Sequence, residues 1–276
     1  MSSTQAAIDA RNAEFWNELC GSSLARILGI TEPTRDSLTR FDEAYWGLYP
    51  YLRRYATEAD LRGRRVLEIG LGYGTLGQLL VTQGCAYYGL DIAPHPVEVM
   101  RFRLRLLGVT DEGRVTEGSA LALPYPDASM EYVYSIGCLH HTGSLPRAVS
   151  EIHRVLVPGG RALIMLYHRH SFRQLLQVPL VRFRGMLARV RHPSALRAQV
   201  RALYDANQSG EAAPHTDFVS RREARRLFRD FAAVQIEAQN FDTYVLFRGC
   251  LVVPRERLLD NVARVLGLDL YVWARK

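Results

Sequence analysis

Short apolar runs recur along the chain and alternate with stretches of helical period. Val66, Leu67 and Ile69 form the first run, and a second ends in Leu90 and Asp91. Further strand-like runs lie at 115–117, 127–136, 161–167, 231–238 and 269–274. Between them, 97–107 places Val99, Phe102 and Leu106 on one side of a helix. The stretch 145–156 does the same with Leu145, Ala148, Ile152, Val155 and Leu156. Ser220 and Glu223 have the spacing of a capping box and open a helix through Phe228. Strand and helix in alternation predict an α/β fold, a mostly parallel sheet with helices on both faces.

The flanks carry different patterns. Residues 5–30 read as helical, dense in rings at Phe15 and Trp16, with Gly21 as a stop. After a break at Thr31 to Pro33, 35–56 holds Phe41, Tyr45, Trp46, Tyr49, Tyr51 and Tyr55. Tyr45 and Tyr49 are four apart and share a helix face. Beyond the fifth strand, Phe172, Leu175, Leu176, Leu180, Phe183, Leu187 and Val190 recur at helical spacing, with arginines at 173, 182, 184, 189 and 191. Pro179 predicts a kink or two helices there. The expectation is an amphipathic cap packed on the domain. A lid whose arginines attract an anionic acceptor, and a membrane-surface helix, are the alternatives. The division that follows is a helical cap at 1–60, a core at 61–167, an inserted lid at 168–217, and the rest of the core at 218–276. A second insertion at 241–266 is predicted to hold a helix from 255 to 266.

The first two apolar runs flank a turn rich in glycine: Glu68, Gly70, Gly72, Gly74 and Gly77. Glycine lets the backbone approach a ligand and turn where a side chain would clash. The helix that follows aims its free N–H groups at whatever occupies the turn. At the tip of the second strand, the Asp91 carboxylate can accept hydrogen bonds from two ribose hydroxyls. Gly72-x-Gly74-x-x-Gly77 fits the dinucleotide fingerprint. Glu68 argues against a nicotinamide site, because such sites have an apolar residue at that point of the strand.

The ordered set is Val66-Leu67-Glu68-Ile69-Gly70-x-Gly72-x-Gly74, then Asp91, Ala120-x-x-Leu123-Pro124-Tyr125, Leu139-His140-His141-Thr142, and Arg154-Val155-Leu156-x-Pro158-Gly159-Gly160. It resembles class I S-adenosylmethionine (SAM) methyltransferases, in particular the ubiquinone/menaquinone-biosynthesis type. The resemblance covers about residues 60–168. It implies a Rossmann-like seven-stranded sheet whose last strand inserts antiparallel between strands five and six. It also implies a cofactor site in which Glu68 meets the methionine amino end, Gly70, Gly72 and Gly74 allow close approach, and Asp91 holds ribose. Ile92 and Leu121 would sandwich adenine. Ser119 stands where the family has Asp in the adenine loop beside Ala120, and Ser135 closes the set. An N-terminal helical lid would place Tyr45 and Tyr49 near the sulfonium. His141 is the candidate base for a hydroxyl acceptor, with His140 and His168 placed beside the acceptor.

Composition narrows the reading. The chain has 276 residues and a net charge of +7, and Lys276 is its one lysine among 35 basic residues. That arginine bias fits a GC-rich genome as well as it fits nucleic acid. The four cysteines (Cys20, Cys85, Cys138, Cys250) show no C-x-x-C pair, and the pattern predicts no metal and a reducing, cytoplasmic setting. No apolar run reaches the length of a membrane span. The expected partner is an aromatic or anionic small molecule. A nucleic-acid methyltransferase or a silent SAM-binding protein is the competing reading. Peripheral membrane contact and the choice between monomer and homodimer stay open.

Overall fold

The computed structural model describes residues 3–18, 23–111, 113–187, 193–246 and 251–276. Gly21, Cys20, Arg189, Val190, Arg191 and Cys250 lie outside the described residues. Four helices lead in: α1 (Ser3–Asn17), α2 (Ser23–Ile27), α3 (Arg35–Leu48) and α4 (Pro50–Ala56). Thr34 caps α3 through a reciprocal bond with Ser37. Pro50, which has no N–H to donate, starts α4 at Tyr49, so the predicted 35–56 helix is two.

The core alternates β1 (Arg65–Ile69), α5 (Thr75–Thr82), β2 (Ala86–Asp91), α6 (Pro94–Leu106), β3 (Val115–Glu117), β4 (Met130–Ile136), α7 (Leu145–Val155) and β5 (Leu156–Tyr167). Then come α8 (Val178–Leu187), α9 (Pro193–Ala202), α10 (Arg221–Leu227), β6 (Ala233–Gln239), a hairpin of β7 (Tyr244–Leu246) and β8 (Leu251–Val253), α11 (Ala263–Leu266) and β9 (Asp269–Arg275). Seven strands form one sheet in the order β3-β2-β1-β4-β5-β9-β6, parallel except for β9, which runs antiparallel to both of its neighbours.

Alternation along the strands explains why helices cover both faces. On β5, Ala162, Ile164 and Leu166 join one buried cluster with Val149, Ile152 and Phe228, while Leu163 and Met165 join another with Leu52, Leu80 and Met100. β9 splits likewise, with Leu270 and Val272 on one side and Tyr271 on the other. A strand buried on both sides reads as an unbroken apolar run.

Two sequence expectations change. In the second insertion, the helix expected over 255–266 is a single 3₁₀ turn at Arg255–Arg257 and then α11; Asp260, at φ +60°, interrupts it. In the first insertion, Phe172 and Val178 turn inward, but Leu175, Leu176, Leu180 and Phe183 are exposed. A π-helical turn over Arg173–Gln177 slips the register, so a stripe drawn at strict α spacing does not stay on one side.

Candidate active site

The C-terminal ends of β1, β2 and β4 open into a cavity of about 370 Å³. Ligands bind at this edge in open parallel sheets. Gly70 turns the chain out of β1 at φ +83°, where a side chain is strained. A Cβ on Gly70 would also sit 2.4 Å from that of Cys138, so the absent side chain lets the β4 loop close in.

One end of the cavity is lined by Glu68, Gly70, Gly72, Asp91, Ile92, Ser119 and Ala120. Asp91 accepts from the Leu71 amide at 2.7 Å and the Ala93 amide at 3.0 Å, which ties the glycine turn to β2. Burial raises its carboxyl to about 6 against the pull of these amides. Glu68 is buried, with the Tyr87 hydroxyl as its hydrogen-bond donor. Burial pushes its carboxyl up to about 8; Asp91 pushes the same way, and the Tyr87 bond and the Arg103 charge oppose. A buried carboxyl whose one polar partner is a phenol has room for a cation.

The other end is lined by Trp16, Tyr45, Tyr49, His141, Tyr167, Tyr204 and Asp205. Helix α1 lies across it: Asn12 Nδ2 donates to the His141 carbonyl at 2.7 Å, and the Trp16 and His141 rings are 4.6 Å apart. Ser119 Oγ donates to Asp9 at 3.3 Å, so the same helix touches both ends. His141 Nδ1 is 2.7 Å from the His215 carbonyl oxygen. A carbonyl only accepts, so Nδ1 carries the proton and Nε2 keeps its lone pair. Nε2 is 3.6 Å from Asp205, whose two oxygens accept from the Tyr167 hydroxyl at 3.1 and 3.0 Å. Burial lowers the His141 pKa, and the Asp205 charge opposes that. Burial raises the Asp205 carboxyl.

Ten predicted site residues therefore meet at one cavity: Tyr45, Tyr49, Glu68, Gly70, Gly72, Asp91, Ile92, Ser119, Ala120 and His141. Five do not line it. Gly74 faces Arg103, and a Cβ there would meet Arg103 Cδ at 2.8 Å. Leu121 is buried in the core beneath the adenine-loop position. Ser135 donates to the Ile69 carbonyl at 2.9 Å and pins β4 to β1. His140 is fully buried with its ring 4.0 Å from that of Tyr167, beneath the cavity wall. His168 faces the Gly267 carbonyl at 3.0 Å, and burial takes its pKa down to about 4. Successive residues of a strand point to opposite faces, so the step from Tyr167 to His168 leaves the cavity.

Sequence reasoning missed Asp9, Asn12, Trp16, Tyr167, Tyr204 and Asp205. The rings of α1 were a signal; nothing near Asp205 marked it. Of the arginines predicted for the lid, the side chains at 182, 184, 189 and 191 lie outside the described residues. Arg173 pairs with Asp242 at 2.6 Å and Arg169 with Glu223 at 2.7 Å, and no arginine is among the described residues that line the cavity. The described wall offers carboxylates and rings.

Residues 67–164 match the family described as "Methyltransferase domain". Those residues are a methyltransferase domain. It is 32% identical over 142 residues to a demethylmenaquinone methyltransferase of Tropheryma whipplei, covering 50% of this chain and 55% of that protein. It is 36% identical over 121 residues to a probable phthiotriol/phenolphthiotriol dimycocerosates methyltransferase of Mycobacterium ulcerans, covering 43% and 44%. The chain thus spans about half the length of the curated relatives it matches. Its fold is that of a magnesium protoporphyrin IX methyltransferase from Synechocystis solved with S-adenosylhomocysteine, at TM-score 0.56, 12% identity and 98% and 99% coverage. Among the described residues of the methyltransferase-domain chain, no helix is long and apolar enough to cross a membrane.

Proposed function

We propose that the protein moves a methyl group from SAM to a hydroxyl of an uncharged, ring-bearing small molecule. The observation that carries this reading is the single cavity that joins Glu68 and Asp91 at one end to His141 and Asp205 at the other. The cofactor end suits SAM: Glu68 would pair the ammonium, Asp91 would accept from the ribose hydroxyls, and the rings of Tyr45 and Tyr49, 5.0 Å apart, would face the sulfonium. Bound SAM supplies a methyl group already activated by its positive sulfur.

The chain's own residues do the rest. Trp16, Tyr167 and Tyr204 would hold a flat acceptor and exclude water, so that its oxygen stays in line with the methyl group. His141 Nε2 takes the hydroxyl proton as the O–C bond forms and the C–S bond breaks. Its lowered pKa keeps the ring neutral and ready at pH 7. Asp205 would steady the imidazolium that results. The relatives support a ring or lipid acceptor, since they are named for demethylmenaquinone and phthiotriol dimycocerosates. The carboxylate-lined cavity speaks against a nucleic acid, whose phosphates it would repel.

Titration calorimetry with SAM tests the cofactor end. Wild type is expected to bind. Asp91→Asn keeps one acceptor and should lose about tenfold, and Asp91→Ala about 100-fold or more, since each bond to a charged group is worth about 1.5–3 kcal/mol. Equal affinity in all three would remove the reading. Labelled SAM with an extract of the host tests the acceptor end: a labelled small molecule supports it, and label in RNA or DNA overturns it.

A further inference from the structure

The first insertion carries an outward face that the methyl-transfer site does not use. Leu175, Leu176, Leu180 and Phe183 are between 48% and 55% exposed, on one helical segment. Scattered exposed leucines need no explanation, but four large apolar side chains within nine residues are a patch. Leu180 and Phe183 are three apart within α8 and share one side of it, and the π-helical turn before it leaves Leu175 and Leu176 exposed as well. The neighbouring β7–β8 hairpin, whose Tyr244 ring lies 5.0 Å from Phe172, adds exposed Val252.

Charge decides what would cover this face. Residues 168–204 hold eight arginines and no aspartate or glutamate. Arg169 and Arg173 are spent on Glu223 and Asp242. The six others, at 182, 184, 189, 191, 197 and 201, belong to a stretch with no carboxylate of its own. On α8, positions 182 and 184 flank Phe183, about 100° to either side of it. Apolar side chains bordered by arginine positions match a surface that is apolar beneath and anionic at its rim, which is a layer of acidic lipid. A second copy of the chain would set like charges against each other. The same insertion carries Tyr204 and Asp205, which line the cavity, so a docked face would put the acceptor end of the site beside the lipid.

We propose that this insertion docks the protein on an anionic lipid surface through Leu175, Leu176, Leu180 and Phe183. The docking does not depend on the identity of the acceptor, and its test needs none. Full-length protein is sedimented at about 0.1 M salt with phosphatidylcholine vesicles, either pure or containing about one-third phosphatidylserine. Binding to the anionic vesicles is expected to be about tenfold or more stronger, and to fall on raising the salt to about 1 M. Leu176→Ser/Leu180→Ser/Phe183→Ser should lose about tenfold or more of that binding. Its melting temperature and SAM affinity should stay at the wild-type values, because these side chains are exposed and are not among the residues that line the cavity. Arg182→Glu/Arg184→Glu should lose the preference for phosphatidylserine. Absence of binding, equal binding to both vesicles, or a triple variant that sediments like wild type overturns the proposal. So does a wild-type dimer in analytical ultracentrifugation that the triple variant converts to monomer, since the cover is then a second copy.

Discussion

Replacing Arg103 by Met is expected to loosen α3 and the glycine turn together. The Arg103 side chain is fully buried in α6. Its Nε donates to the Tyr73 carbonyl at 2.6 Å, inside the glycine turn. Its two terminal nitrogens donate to both Asp42 oxygens at 2.8 Å, and one also donates to Gln78 at 2.7 Å. Asp42 belongs to α3, so one guanidinium clamps that helix to the glycine turn. Removing it leaves the Tyr73 carbonyl without that donor, at about 1–3 kcal/mol. It also leaves a carboxylate only 15% exposed, held by Thr75 at 2.6 Å and Gln78 at 3.3 Å. Breaking a buried pair from one side costs about 3–5 kcal/mol. At roughly 2–4 °C per kcal/mol for a chain of this size, the melting temperature should fall by about 6–20 °C. Urea unfolding followed by circular dichroism measures the loss, and calorimetry at low temperature measures SAM affinity, expected to drop with it. Arg103→Lys keeps the charge but not the fork and should recover only part. A Met variant within about 1 kcal/mol of wild type, binding SAM normally, would falsify the clamp.

Two predictions concern protons. Glu68 has its carboxyl raised to about 8 by burial, so the folded state holds a proton that the unfolded chain releases near its ordinary value of 4.5. Stability contributed by that proton is complete below pH 4.5 and lost as pH rises toward 8. Glu68→Gln should flatten this decline in urea midpoints measured across that window; an unchanged slope would mean the carboxylate is solvated. His141 should titrate below 6.5 when its ring protons are followed by NMR. Asp205→Asn removes the charge that opposes the shift, so the midpoint should move lower still; a midpoint that rises refutes the pairing.

Much of the architecture was legible because it is local. The glycine turn, Asp91 and the Leu139–Thr142 segment follow strand ends, and a strand end in a parallel sheet faces one edge. The Ser220 capping box, read from two residues three apart, forms as expected. The misplacements share a cause. Proximity to the strand ends suggests His140 and His168 for the site, but the face each side chain takes depends on what it packs against. The stripe from Phe172 to Val190 assumes a fixed period, which the π-helical turn does not keep.

The sequence by itself determined the alternation of strand and helix, the two-faced burial of the sheet and the cofactor turn, because each depends on residues within about a turn of one another. Only the tertiary structure decided the far end of the cavity, around His141. Asn12, Trp16, His141, Asp205 and His215 come from four separate parts of the chain and meet only once α1 and the insertion have closed over the sheet. Spacing along a chain encodes which side of an element a residue takes, and it carries no record of which distant element will lie against that side.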